Sequence, residues 1–240
     1  MTATPAVEYR TGRGRVVLAA AVLGSGVAFL DSTVVNVALP AIGRELDADL
    51  SVLQWIVDGY LLTLGSLVLV GGSLGDLLGK RRVFEVGLVA FGLASLACGL
   101  APTGPALVAA RLVQGVAAAL LVPNSLAVLT STFRPQDRST AIGAWSGLAG
   151  VSTVLGPFAG GWLVDVASWR WVFLVNLPFI AAALILSRRG IPDLPGSRRP
   201  GPILRQLDLA GAGLVTVGLA ALVFPLIEHA RLPGPVGWAI

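Results

Sequence analysis

The sequence predicts an all-α, polytopic membrane protein, and three observations carry that expectation. Hydrophobic residues make up 55% of the 240 and charged residues only 12%, which leaves too few polar groups to coat a water-facing globule. The apolar residues gather into runs of about 20, the length a helix needs to cross the hydrocarbon core. The basic residues fall in the short segments between those runs, as the positive-inside rule places them. A pI near 10.2 and a mean hydropathy of +0.83 therefore describe membrane topology, and the pattern excludes a nucleic-acid partner.

Taken in order, spans are expected near 16–38, 53–75, 83–101, 105–129, 139–164, 170–187 and 208–227, with Trp238 to Ile240 opening an eighth. The first run is longer than a signal-peptide core, lacks a cleavage site and is followed by equally apolar runs, so it reads as a span. Arg10, Arg13 and Arg15 precede it; Lys80, Arg81 and Arg82 follow span two, Arg134 and Arg138 follow span four, and Arg188, Arg189, Arg198, Arg199 and Arg205 follow span six. Only Arg44, Arg170 and Arg231 occupy the alternate loops, so the N-terminus is expected in the cytoplasm.

Glu45, Asp47 and Asp49 then lie outside, and Ser51 is the expected cap of span two. Trp55, Trp162, Trp169, Trp171 and Trp238 fall near external span ends, with Trp145 toward the cytoplasm, as an interfacial belt would place them. Cys98 and His229 are single residues of their kinds, so neither a disulfide framework nor a Cys/His metal cluster can form within the chain; Cys98 reads as a small buried hydrophobe and His229 as a loop residue.

Residues 187–206, with Pro192, Pro195, Pro200 and Pro202, cannot form a regular helix. The expected organisation is a cytoplasmic tail at 1–15, a six-span bundle at 16–187, a Pro/Arg-rich linker at 188–206, and an extra span at 207–240 that includes the cut-off start of span eight. The chain reads as a fragment of something longer. Its six spans form two groups of three, each opened by a span with an intramembrane charge: Asp31 in span one, Arg111 in span four. Inverted three-plus-three repeats place binding sites where the repeats meet, which suggests half of a transporter.

A carboxylate inside an apolar run costs roughly 2.5–3.5 kcal/mol on insertion scales and calls for a partner. At 1.5 Å per residue, Asp31 lies about 22 Å from Val16 and Arg111 about 9 Å from the outer end of span four, so both sit in the outer half of the bilayer. Ala20, Gly24, Val27 and Ala38 share a face with Asp31; Gln114, Gly115 and Ala118 share one with Arg111. Two readings follow. The pair is a fixed ion pair that locks two helices, or Asp31 exchanges a proton while Arg111 and Gln114 tune its affinity.

In the loop GSLGDLLGKRR at 72–82, Gly72, Gly75 and Gly79 permit a turn and close helix approach, Asp76 closes a span, and Lys80, Arg81 and Arg82 follow. This stretch resembles the loop-two-three signature of the major facilitator superfamily, G-x-L-x-D-[RK]-x-G-[RK]-[RK], with Leu77 departing where a cation is usual. Residues 30–40, LDSTVVNVALP, resemble the span-one signature of its 14-span drug:proton antiporter branch, and residues 111–115, RLVQG, resemble that branch's R-x-x-Q-G motif. Gly143, Gly156, Pro157, Gly160 and Gly161 match its span-five antiporter motif, with Ser152 in place of the second glycine; residues 168–178, SWRWVFLVNLP, are similar to the start of its span six. Physically, Pro157 removes a helix hydrogen bond, and glycines at 143, 147, 156 and 160 make two GxxxG spacings for close packing.

The resemblance covers about residues 28–180 and implies the six-helix N-terminal bundle of the major facilitator fold. It also implies proton-coupled export of small hydrophobic or cationic compounds across the cytoplasmic membrane, with no cofactor beyond the proton gradient. Asp31, Arg111 and Gln114 would couple protons; Gly72, Asp76, Gly79, Lys80 and Arg81 would gate against a missing C-terminal bundle. Asp58 is a possible site for substrate charge, though a helix-end acid is the plainer reading, and Asp165 reads as interfacial. Uptake symport and a non-transporting scaffold or truncated fragment are the alternatives. No nucleophile-base set or metal cluster suggests an enzyme.

Overall fold

A computed structural model of the chain describes residues 7–193, 196 and 207–228. Its helices are α1 (Gly12–Leu46), α2 (Leu50–Leu78), α3 (Lys80–Gly99), α4 (Gly104–Thr132), α5 (Arg138–Val166), α6 (Trp171–Leu174), α7 (Asn176–Gly190) and α8 (Leu209–Glu228). With α6 and α7 taken as one span, seven helical segments among the described residues are long and apolar enough to cross a membrane. All seven expected spans are there, and the protein is a multi-pass membrane protein. His229, Trp238, the start of span eight and most of the linker lie outside the described residues.

Local chemistry explains the boundaries. Thr11 caps α1 by accepting from Gly14 N at 3.1 Å, and Thr103 caps α4 by accepting from Ala106 N at 3.4 Å. For α2 the cap is Asp49, which accepts from Val52 N at 3.0 Å; the expectation of Ser51 is corrected, since Ser51 Oγ instead donates to Glu228 on α8 at 2.5 Å. A carboxylate two residues earlier meets the first free amides better than a hydroxyl already inside the helix. The first span is longer than its apolar run because the helix continues past Pro40 until Asp47 turns left-handed, φ 48°. Between the two helices Gly79 takes φ 102°, which lets α2 reverse into α3 without a loop.

Packing follows an exchange rule. The most extensive pairings are α2 with α4, α3 with α4, α1 with α5 and α1 with α7. Swapping the first three spans for the second three turns α1–α5 into α4–α2 and α1–α7 into α4–α3, the signature of two inverted three-helix repeats. Helices α1 and α4 are accordingly central, while α2 and α5 keep apolar outer faces; on α5 these include Val151, Val154, Leu155, Phe158 and Trp162.

Small residues set the closest approaches. Gly156 packs on Thr33 and the Leu30 carbonyl, and Gly160 on Val34, so a side chain at either would collide with α1. Gly143 and Gly147 have open space where a Cβ would go. Of the two GxxxG spacings in span five, the outer one packs within this bundle and the inner one faces away from it. The tryptophans divide similarly: Trp162 and Trp171 are exposed, whereas Trp169 is buried and donates to Glu45 Oε2 at 2.8 Å, so a purely interfacial role does not hold for it.

Candidate functional site

Helices α6 and α7 meet at Val175, whose backbone stays right-handed helical at φ −60° and ψ −22°, so together they make the one expected span six. Asn176, at the start of α7, reaches Asp31, and five helices supply groups to one buried polar cluster. Asp31 is 0% and Arg111 1% exposed, and Gln114, Ser95, Cys98 and Asn176 are fully buried around them.

The geometry centres on the carboxylate. Arg111 Nη1 donates to Asp31 Oδ2 at 2.5 Å, while Gln114 Nε2 at 3.0 Å and Asn176 Nδ2 at 2.9 Å both donate to Oδ1. An ionised carboxylate is acceptor-only and can take all three. Arg111 Nη1 also donates to Gln114 Oε1 at 2.6 Å and its Nε to the Ile56 carbonyl at 2.9 Å, with the guanidinium 4.1 Å above the Tyr60 ring. Tyr60 OH donates to the Ala28 carbonyl at 3.2 Å, which fixes that ring. Ser95 Oγ accepts from Gln114 Nε2 at 2.9 Å and Asn176 Nδ2 at 3.3 Å, and Cys98 Sγ lies 3.5 Å from Gln114 Oε1.

Asp31, Arg111 and Gln114 are thus brought together as the sequence suggests. Asn176, Ser95, Tyr60 and the Ile56 carbonyl are the additions. The burial of Ala20, Gly24, Val27 and Ala38 on α1, and of Gly115 and Ala118 on α4, matches the expected faces. Asp58 is half-buried on α2, apart from this cluster, and Asp165 is exposed at the end of α5.

The turn after α2 forms a second group. Lys80 Nζ lies 3.6 Å from Asp76 Oδ1, and the Asp76 side chain is 69% exposed. Arg81 pairs with Glu85 at 2.9 Å and donates to the Ile191 carbonyl at 3.1 Å, so this cation ties the loop to the end of span six. Gly75 sits directly against the Asn124 carboxamide, and a Cβ at Gly72 would lie an ordinary 3.8 Å from Pro123. Pro157 is accommodated inside a continuous α5, and Gly161 touches Val37 loosely.

The family model described as Major Facilitator Superfamily matches residues 21–238. The chain belongs to that superfamily, a family of transporters. It is 39% identical over 233 residues to a methylenomycin A resistance protein of Bacillus subtilis, covering 96% of this chain and 48% of that protein. It is 40% identical to a tetracenomycin C resistance and export protein of Streptomyces glaucescens, covering 94% and 41%, and 42% identical to a puromycin resistance protein of Streptomyces alboniger, covering 90% and 41%. The chain therefore spans less than half the length of each of these relatives. Among solved structures it resembles a peptide transporter POT in complex with sulfate, with a TM-score of 0.70 at 16% identity, over 95% of this chain and 50% of that one. That likeness concerns the fold.

Proposed function

We propose that the chain is the N-terminal half of an exporter that exchanges small hydrophobic or cationic compounds, such as antibiotics, for protons across the cytoplasmic membrane, with its N-terminus in the cytoplasm. The observation that carries this reading is the buried Asp31–Arg111 pair. A guanidinium keeps its charge under all physiological conditions, so protonating Asp31 leaves Arg111 without its counter-ion in a dry site. The pair must then rearrange, and a proton can be converted into helix movement.

Direction is supported by the relatives, which are named for resistance and, in one case, export. A second six-helix bundle would cover the apolar outer faces of α2 and α5, with substrate held between the bundles and Asp76, Lys80 and Arg81 closing the cytoplasmic side. Inward proton movement down a potential of 100 mV supplies about 2.3 kcal/mol per charge. Asp58 would add a charge for cationic compounds.

The test uses the full-length transporter in vesicles with ethidium as probe. Export against an ethidium gradient, driven by protons moving the opposite way, is the expected result. Movement of ethidium with the proton gradient would make the protein an uptake symporter, and no proton-linked movement would leave it a scaffold.

A further inference from the structure

Among the described residues four buried side-chain polar atoms lack a partner, on Ser66, Asn124, Thr132 and Asn176, and only the last belongs to a residue that touches Asp31. Asn176 Oδ1 has no hydrogen-bond partner although its residue is fully buried. Asn176 also lines a cavity of about 90 Å³ between α1, α5 and α7, whose other walls include Gly26, Val27, Leu30, Ser152 and Phe179. Phe179 is 42% exposed at its rim, so the cavity lies between the Asp31 cluster and the surface of the bundle. Its volume suits water or a single ammonium, amine or hydroxyl group.

The orientation of the Asn176 amide follows from the charge beside it. An ionised Asp31 only accepts, so the amide must turn its NH₂ to the carboxylate and keep its oxygen away. A protonated Asp31 carries a hydroxyl that needs an acceptor. Two amides face Oδ1, and they differ. Gln114 Oε1 is held by Arg111 at 2.6 Å, so turning Gln114 would break that bond. Asn176 Oδ1 holds nothing, so turning Asn176 gives up only the longer 3.3 Å bond from its Nδ2 to Ser95 Oγ, and its oxygen can then accept from the new hydroxyl.

We propose that Asn176 is a two-faced switch: it offers an acceptor to an N–H or O–H donor in this cavity when Asp31 is charged, and withdraws that acceptor when Asp31 takes a proton. Proton and donor then exclude each other at one amide, which is the logic of exchange. The proposal rests on the reading of Asp31 as the proton site. The titratable or charged groups around the switch are Asp31 on α1, Tyr60 on α2, Cys98 on α3 and Arg111 on α4; the cavity walls from α5 and α7 are Ser152, Asn176 and Phe179. The donor is either water or part of a transported compound.

The test follows covalent labelling of Asp31 by dicyclohexylcarbodiimide, which reacts with protonated carboxyls, in membranes carrying the full-length transporter. In the unsubstituted protein labelling follows pH. Asn176→Leu, which keeps size but removes donor and acceptor, takes away the bond to the charged carboxylate and the bond to the protonated acid together, so the profile shifts by well under the roughly one pH unit that losing a donor to the charged form alone would give. Ethidium, which carries N–H donors, protects Asp31 more than tetraphenylphosphonium, which has none, when the compound is the donor; equal protection together with that small shift assigns the donor to water. Ser152→Leu narrows the cavity without touching Asp31; it keeps the pH profile and abolishes any difference between the probes, which covers the case in which Asn176→Leu does not fold. A shift of about a full pH unit or more in Asn176→Leu, which marks a donor fixed on the charged form, or a difference between the probes that survives Ser152→Leu, overturns the switch. Failure of Asp31 to label at any pH would instead remove the proton-site reading on which it rests.

Discussion

Two carboxylate–guanidinium pairs anchor α1, and they differ in almost every respect except chemistry. Asp31 and Arg111 are fully buried and share their hydrogen bonds with Gln114, Asn176 and the Ile56 carbonyl. Glu45 and Arg170 pair about 21 Å further along the helix axis, half-exposed, with Arg170 also stacked on Trp169 and donating to the Ala101 carbonyl. In the outer pair water can replace either partner, so it serves as a clasp. Within the bundle nothing can replace Arg111, so the state of one group dictates the arrangement of the other. A charge becomes a coupling element when its environment removes the alternative of solvation.

The largest effect is expected from breaking the inner pair on one side. Arg111→Ala strands a buried carboxylate and should cost about 3–5 kcal/mol, read as lost thermal stability in detergent. Adding Asp31→Ala to it should recover part of that loss, because the penalty belongs to the unpaired charge. A double variant no more stable than Arg111→Ala would assign the loss to packing against Tyr60 instead.

Next comes the interface that positions Asp31. Gly156→Val would push into Thr33 and the Leu30 carbonyl, and overpacking of this kind costs about 1–3 kcal/mol. Gly143→Ala meets nothing within the bundle, so its stability should stay within about 0.5 kcal/mol. If Gly143→Ala impairs export while leaving that stability intact, the inner half of the span-five motif works against the second bundle. Smallest is the outer clasp: Glu45→Gln should cost no more than about 1 kcal/mol, and the difference should shrink as salt rises.

The contrast between the two pairs also marks what the sequence discloses. A lone Asp in an apolar run is visible because lipid cannot solvate it, and helical spacing places Arg111 and Gln114 on a matching face. Ser95 gives no such signal, since a serine in a membrane helix can satisfy itself on a carbonyl of the preceding turn. The Ile56 carbonyl has no side-chain signature at all. Asn176 stands in a stretch with a family likeness, yet an asparagine among apolar residues does not by itself say which carboxylate it faces; only the packing of α7 on α1 shows that. Ser51 stands closer than Asp49 to the apolar run of span two, but α2 starts before that run does, and its first free amides face Asp49.

The account turns on whether Asp31 exchanges protons or merely braces α1 against α4, and Asp31→Asn separates the two most directly. In the full-length transporter, with membrane insertion verified, ethidium movement is measured both uphill against a proton gradient and as exchange at equal concentrations without one. Loss of uphill export with exchange retained is the predicted result. Uphill export at the unsubstituted rate would contradict the account and return Asp31 to a bracing role.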